Sequence, residues 1–229
     1  MTIFLSAKIL RIIIVMLFVS ICIPVSQIKS NEIIDNEFNN LQIMPAVLNE
    51  IELNWLKSIE AYINSIKTFR SLFYQVSSEG ELAEGEFYLS RPGRLRINYF
   101  PPTPILIVGD GLFLHFYDTE LGQISDWPIF DTPLGILSSD NFQFNDQLIV
   151  TEFVHHSSIF EITLVKQDDP ELGTLTLFLS NNPIELKQWK IVDAQSISTT
   201  VSLLDAEINI ILNNELFVFD DPRETINRR

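Results

Sequence analysis

The stretch "FYLSRPGRLRINY", residues 87–99, decides how this chain is read. Phe87 and Leu89 alternate with Tyr88 and Ser90, and beyond Pro92 and Gly93 the residues Leu95, Ile97 and Tyr99 alternate with Arg94, Arg96 and Asn98. A period of two marks strands with one apolar face, so two strands are predicted with a break at the proline. The arginines pose the question. The chain carries 30 Asp and Glu against 15 Lys and Arg, yet Arg91, Arg94 and Arg96 fall within six positions. Arg94 and Arg96 take the polar side, whereas Arg91 continues the line of Phe87 and Leu89, the side a strand buries. A guanidinium buried without partners is costly, and its five donors suit carbonyl oxygens at a loop or helix end. Two elements are free to offer them: a helix that precedes the strands and a short helical segment at 131–141. Arg91 is therefore read as a latch, with an ordinary salt bridge at a sheet rim as the alternative.

Upstream, Leu48, Ile51, Trp55, Ile59, Tyr62 or Ile63, and Ile66 recur at steps of three and four, with Glu50, Glu52, Lys57 and Glu60 off that face. This predicts one amphipathic helix of about 20 residues, from Ala46 to near Lys67. Downstream the period stays at two. Strands are predicted near 69–76, 86–90, 94–99, 123–129, 147–153, 159–166, 174–180, 184–192, 196–204 and 216–219, and Gly109-Asp110-Gly111 turns a hairpin within 105–118. Only 131–141 breaks the rhythm. There Asp131 or Thr132 caps a short helix, Pro133 suits its first position, and Ile136 and Leu137 form its apolar side. About ten or eleven strands without crossover helices make an antiparallel sheet, too many to lie flat, so the sheet is expected to curl toward a barrel. The amphipathic helix then has one place to go, across the concave side.

Residues 1–30 read as a separate object. Lys8 and Arg11 precede a fourteen-residue apolar run at 12–25, short for a spanning helix and suited to a secretory signal, with an uncleaved anchor as the rival. Residues 31–45 read as a flexible lead-in, 46–222 as one domain and 223–229 as a tail. With 229 residues, 46% of them apolar and 17 of them Phe, the chain has material for one sizeable core. Its single cysteine, Cys22, lies in the leader, so the rest needs no disulfide chemistry. Without the leader 12 bases face 30 acids, a net charge of −18. That sets nucleic acid aside as a partner and discourages long residence on anionic membranes. The expectation is a soluble, exported, acidic protein.

No nucleophile elbow, P-loop, dinucleotide glycine pattern or cysteine pair occurs. His155 and His156 are adjacent, and adjacent residues on a strand point to opposite faces, which does not suit one metal. The acidic pairs Asp168-Asp169 and Asp220-Asp221 lie in turns or beside proline and read as caps. No cofactor, no metal and no catalytic set is expected, and hence no enzyme.

"GEFYLSRPGRLRINY" (85–99), then "PILIVGDG" (104–111), "FYD" (116–118), "DTPLGIL" (131–137) and "LFVFDDP" (216–222) resemble, in that order, the periplasmic outer-membrane lipoprotein carrier family, LolA. The likeness spans about residues 48–222. It implies an incomplete, strongly curved antiparallel β-barrel with helices as a lid over a hydrophobic cavity. It implies a carrier that shuttles the acyl chains of lipoproteins through the periplasm, with no enzymatic step. The implied partners are acylated lipoproteins, an inner-membrane ABC-type transporter that releases them and an outer-membrane lipoprotein receptor that takes them, with the chain acting as a monomer. Arg91 matches the family's strand arginine, which holds the empty lid shut through lid backbone. Trp55, Ile59, Phe87, Leu89, Leu95, Ile97, Ile107, Leu114, Phe116, Leu134 and Leu137 are the candidates for the cavity wall. Leu95 and Ile97 stand where the family commonly has Phe and Trp, which implies a less aromatic wall. A lipid-binding sensor or regulator on the same fold, and a carrier of a free lipid or glycolipid, are the other readings these residues allow.

Overall fold

A computed structural model describes residues 43–223; the leader read at 1–30, the lead-in as far as residue 42 and the tail from 224 lie outside it. Strand alternation becomes a single eleven-stranded sheet, antiparallel at every pairing. Its strands are β1 (Thr68–Ser77), β2 (Leu82–Ser90), β3 (Arg94–Tyr99), β4 (Ile105–Asp110), β5 (Phe113–Asp118), β6 (Gln123–Pro128), β7 (Leu148–His155), β8 (Ile159–Lys166), β9 (Thr174–Asn181), β10 (Ile184–Val192) and β11 (Ser198–Ile208). The order across the sheet is β6-β5-β4-β3-β2-β1-β11-β10-β9-β8-β7. Two up-and-down meanders therefore meet at one seam, β1 against β11, where Phe73 faces Leu203 and Tyr74 faces Ser202. The edges β6 and β7 do not pair, so the sheet is not closed.

The helix α1 (Glu50–Ser65) is held at its start by a capping box. The Asn49 side chain accepts from the backbone of Ile51 and Glu52, and Glu52 returns a bond to the Asn49 N–H at 2.8 Å. Two acids in the first turn also suit the positive end of the helix dipole. It is shorter than the sequence suggested, because residues 46–49 lie outside the helix and Ala46 N–H bonds to Val150 O of β7. At the far end Asn209 fixes the exit. Its side chain accepts from Lys67 N–H and donates to Ser65 O.

Curvature follows from what α1 touches. Eleven strands spaced about 4.8 Å apart make a flat sheet roughly 50 Å wide, far wider than one helix. Yet Leu56, Ile59 and Ile63 share one core with inward residues from both meanders, among them Phe87, Leu95, Leu114, Phe160 and Leu177. The sheet reaches both sides of the helix only by wrapping around it. The open side between β6 and β7 is spanned by residues 129–147, called the cover below. It contains a 3-10 turn (Ile129–Asp131) and the short helix α2 (Pro133–Ser138), capped by Thr132 as the sequence suggested. The two turn so tightly into each other that a β-carbon on Gly135 would stand 2.2 Å from Ile129 O.

Two sequence expectations are corrected. Strand β2 starts at Leu82 rather than Glu86, pairing with β1 through a turn confined to residues 78–81. Residues 216–219 do not form a strand; Asn214–Phe217 is a 3-10 turn lying across the outer face. Both edges of β3 are already taken by β2 and β4, so this segment cannot join the ladder there. It is caught by side chains instead. Arg94 bonds to Asn214 and lies over the Phe217 ring, Arg96 donates to Leu216 O at 3.1 Å, and His115 stacks on Phe219. That is the use of the two outward arginines.

Candidate ligand site under the cover

Arg91 lies one residue beyond β2, at the corner of the β2–β3 hairpin, and still points inward with Phe87 and Leu89. It is only 9% exposed. Its backbone N–H bonds to Lys67 O, which ties the corner to the end of α1. Its Nη2 donates to Leu137 O of α2 at 2.8 Å. Desolvation lowers its pKa to about 10, with the Asp140 carboxylate pulling the other way. Nε and Nη1 have no acceptor, and among the described residues no carboxylate is paired with this guanidinium.

Arg91 is one of several groups that close the cover. Gly93 N–H bonds to Ser138 O at 2.9 Å beside it. From α1 the Asn64 amide makes a reciprocal pair with the Phe142 backbone, 2.8 Å each way, and Glu60 accepts from Phe144 N–H at 3.0 Å. Apolar groups back these bonds: Leu137 and Phe142 are buried in the core, and Phe142 meets Phe144 edge to face. The Tyr62 hydroxyl accepts from Leu186 N–H of β10, where the β9–β10 register slips.

Between α1, β1, β2, β10 and the cover lies an apolar void of about 30 Å³. Its wall is Tyr62, Ile63 and Ile66 from the helix and its exit, Phe69, Phe87, Leu89, Leu186 and Trp189 from the sheet, Leu137 from the cover, and Arg91. Such a volume has room for a few water molecules and not for an acyl chain, so most of the space expected under the lid is taken here by the protein's own side chains. Phe87 meets Trp189 edge to face, with ring centres 5.4 Å apart, and lies 5.9 Å from Phe69.

Of the residues singled out in the sequence, the structure brings Arg91, Phe87, Leu89 and Leu137 together at this void. Leu95, Ile97, Ile107, Leu114 and Phe116 are buried on the inner face of the sheet, and Ile59 under the helix, but none borders it. Trp55 is half-buried against Phe160 and His155, away from it, and Leu134 is half-buried on α2. Sequence reasoning missed the partners contributed by β10 and the two clamping side chains of α1. Trp189 and Leu186 are three positions apart, so strict alternation would put them on opposite faces; they share the void because the register slips between Leu186 and Gln188, and nothing local says that β10 faces Arg91. Asn64 lies off the apolar stripe of the helix, and its partner Phe142 is 78 positions away.

The family model described as "Outer membrane lipoprotein carrier protein LolA" matches residues 64–220. A protein of Nitrosomonas europaea named outer-membrane lipoprotein carrier protein is 26% identical over 181 residues, covering 75% of this chain and 87% of its own length. The protein RP864 of Rickettsia prowazekii is 25% identical over 174 residues, covering 76% of this chain and 79% of its own. Among solved structures, a LolA superfamily protein of Nitrosomonas europaea covers 72% of this chain and 98% of its own, with 8% identity and a TM-score of 0.42.

Proposed function

The chain belongs to the outer-membrane lipoprotein carrier family, LolA, and on that premise we propose that it binds the acyl chains of lipoproteins under its cover and carries them through the periplasm to the outer membrane. One observation carries this reading: an apolar void roofed by a separate segment that a buried arginine holds through a backbone carbonyl. The arrangement binds and releases; it offers no reacting group. Its partners on this reading are acylated lipoproteins, an inner-membrane transporter that loads the site and an outer-membrane receptor that empties it.

The filled interior gives this carrier its energetics. Each buried methylene of an acyl chain contributes about 0.8 kcal/mol, so several long chains would be worth tens of kcal/mol in a ready-made cavity. Such a site would not let go. Here the chains must first displace Leu137, Phe142 and the α1 face, whose own burial is lost in the exchange. The cover's charge-assisted bond, worth about 1.5–3 kcal/mol, is lost with it. Loading and release thus stay near balance, and Arg91 sets the bias toward the closed, empty form.

The test mixes the purified protein with an acylated lipoprotein and with the same lipoprotein lacking its acyl chains. A soluble one-to-one complex with the first alone supports the reading; equal binding of both, or of neither, ends it. Arg91→Leu is expected to load normally and to hand cargo to a receptor at least tenfold more slowly. Transfer at the native rate would remove the arginine from the latch role.

A further inference from the structure

The cover explains one of the Arg91 donors and leaves the others without a purpose. Buried polar groups almost always find partners, and buried charges almost always find a counter-charge. Arg91 has neither in full: it is 9% exposed, Nε and Nη1 are unsatisfied, and the one interaction of Nη2 is with a neutral carbonyl. The Asp140 charge reaches Arg91 from the surface, but without a hydrogen bond or an ion pair to the guanidinium. Asp140 is exposed and lies 4.0 Å from Lys67, and no carboxylate of the described residues pairs with the guanidinium. The surroundings are otherwise hydrocarbon: Phe87, Leu89 and Trp189 on the sheet, Ile63 and Ile66 beneath the helix.

A single fixed cation at the end of an apolar site describes its own ligand. We propose that this site takes a free long-chain fatty acid, its carboxylate paired with Arg91 and its alkyl chain laid between α1 and the inner face of β2 and β10. The inference rests on the acyl-binding reading above and adds an anionic head that esterified acyl groups lack. With the cover closed, Nε and Nη1 are the donors left without an acceptor. Once Leu137 O withdraws, Nη1 and Nη2 together present the parallel pair of donors that a carboxylate accepts in bidentate fashion. The carboxylate and the Leu137 carbonyl therefore compete for Nη2, so the ligand that fits the site also unpins its cover. The charge count selects the head group. One guanidinium neutralises one carboxylate, whereas a phosphate monoester carries about −1.5 to −2 and would keep buried charge uncompensated.

The probes are hexadecanoate, hexadecan-1-ol and hexadecyl phosphate, each below its micelle concentration. They are titrated into the purified full chain and followed by calorimetry and by tryptophan emission, to which Trp189 at the void contributes. Hexadecanoate is expected to bind about ten- to a hundredfold more tightly than the alcohol, the worth of a charge-assisted bond. Arg91→Leu should abolish the preference for acid over alcohol, and because the same change unpins the cover, the alcohol itself should bind no more weakly than to the native protein. The comparison on the unaltered protein stands even if the variant fails to fold. Equal affinities for acid and alcohol overturn the inference, as does a phosphate bound more tightly than the carboxylate. If none of the three binds while a triacylated lipopeptide does, the inference falls and the carrier reading stands; if the lipopeptide fails too, both fall.

Discussion

Arg91 is a poor investment in stability. Burial lowers its pKa to about 10, which disfavours the charged form by about 3 kcal/mol, and the bond to Leu137 O returns about 1.5–3 kcal/mol of that. Replacing a buried charge with a hydrophobe of similar length is often neutral. Arg91→Met is therefore expected to change unfolding free energy by no more than about 1 kcal/mol in urea titrations. The sign of any pH dependence is fixed by the direction of the shift. Below about pH 10 the guanidinium is charged in both folded and unfolded states, so its cost is constant; it fades only as pH rises above about 10 toward the group's ordinary value. The difference between native and variant should be flat from pH 6 to 9, and a slope there would mean that Arg91 does not act alone. Arg94 and Arg96, three and five positions on, serve the opposite face. One six-residue span therefore pins the cover inside and the 214–219 segment outside.

The cover is joined to α1 by side chains, to the β2–β3 corner through Leu137 and Ser138, and at its ends to the sheet through Ile129 N–H on Leu112 O, Lys166 on Phe130 O and Gln167 N–H on Gln147 O. Asn64 supplies both halves of its reciprocal pair with Phe142, and Glu60 holds Phe144 one turn earlier on the helix. Asn64→Ala leaves a buried donor and acceptor of the cover unpaired, at about 1–3 kcal/mol. Amide exchange across residues 139–147 is expected to quicken by about ten- to a hundredfold while β1, β2 and β11 keep their protection. Uniform loss of protection would mean that the cover and sheet open as one unit. In either case the helix is part of the closure, since it both plugs the concave face and holds the segment that roofs it. The sequence shows the apolar stripe of α1 but not this second duty, because Asn64 and Glu60 lie off that stripe and look like ordinary solvent-facing residues.

An eleven-stranded sheet left open along one side must cover its concave face with something. This chain uses its own helix and the 129–147 crossing, and so occupies the space that a ligand would need. Ile63 tests that competition. It is 3% exposed and borders the void, so Ile63→Ala should destabilise the closed form by about 2–5 kcal/mol in thermal or urea unfolding. The same substitution should raise affinity for an acyl probe, because the room it opens need not be won by displacing the helix. A fall in both stability and acyl affinity would show that α1 builds the site rather than competing for it.

Hydrophobic period was enough to read the strands, the long helix, the short helix at Pro133 and the inward aim of Arg91, since each depends on neighbours within a few positions. Alternation also produced one false strand, at 216–219, because a chain segment that buries alternate residues against an outer face has the same pattern as one in a ladder. Which apolar residues meet around Arg91 was not readable from the pattern. Phe87, Trp189 and Leu137 are brought together by the wrap of the sheet and the crossing of the cover, and contacts spanning 50 to 100 positions leave no local periodicity. How much empty space the concave side retains is likewise a property of packing: the same inward residues line a cavity or fill one depending on how far a helix settles among them.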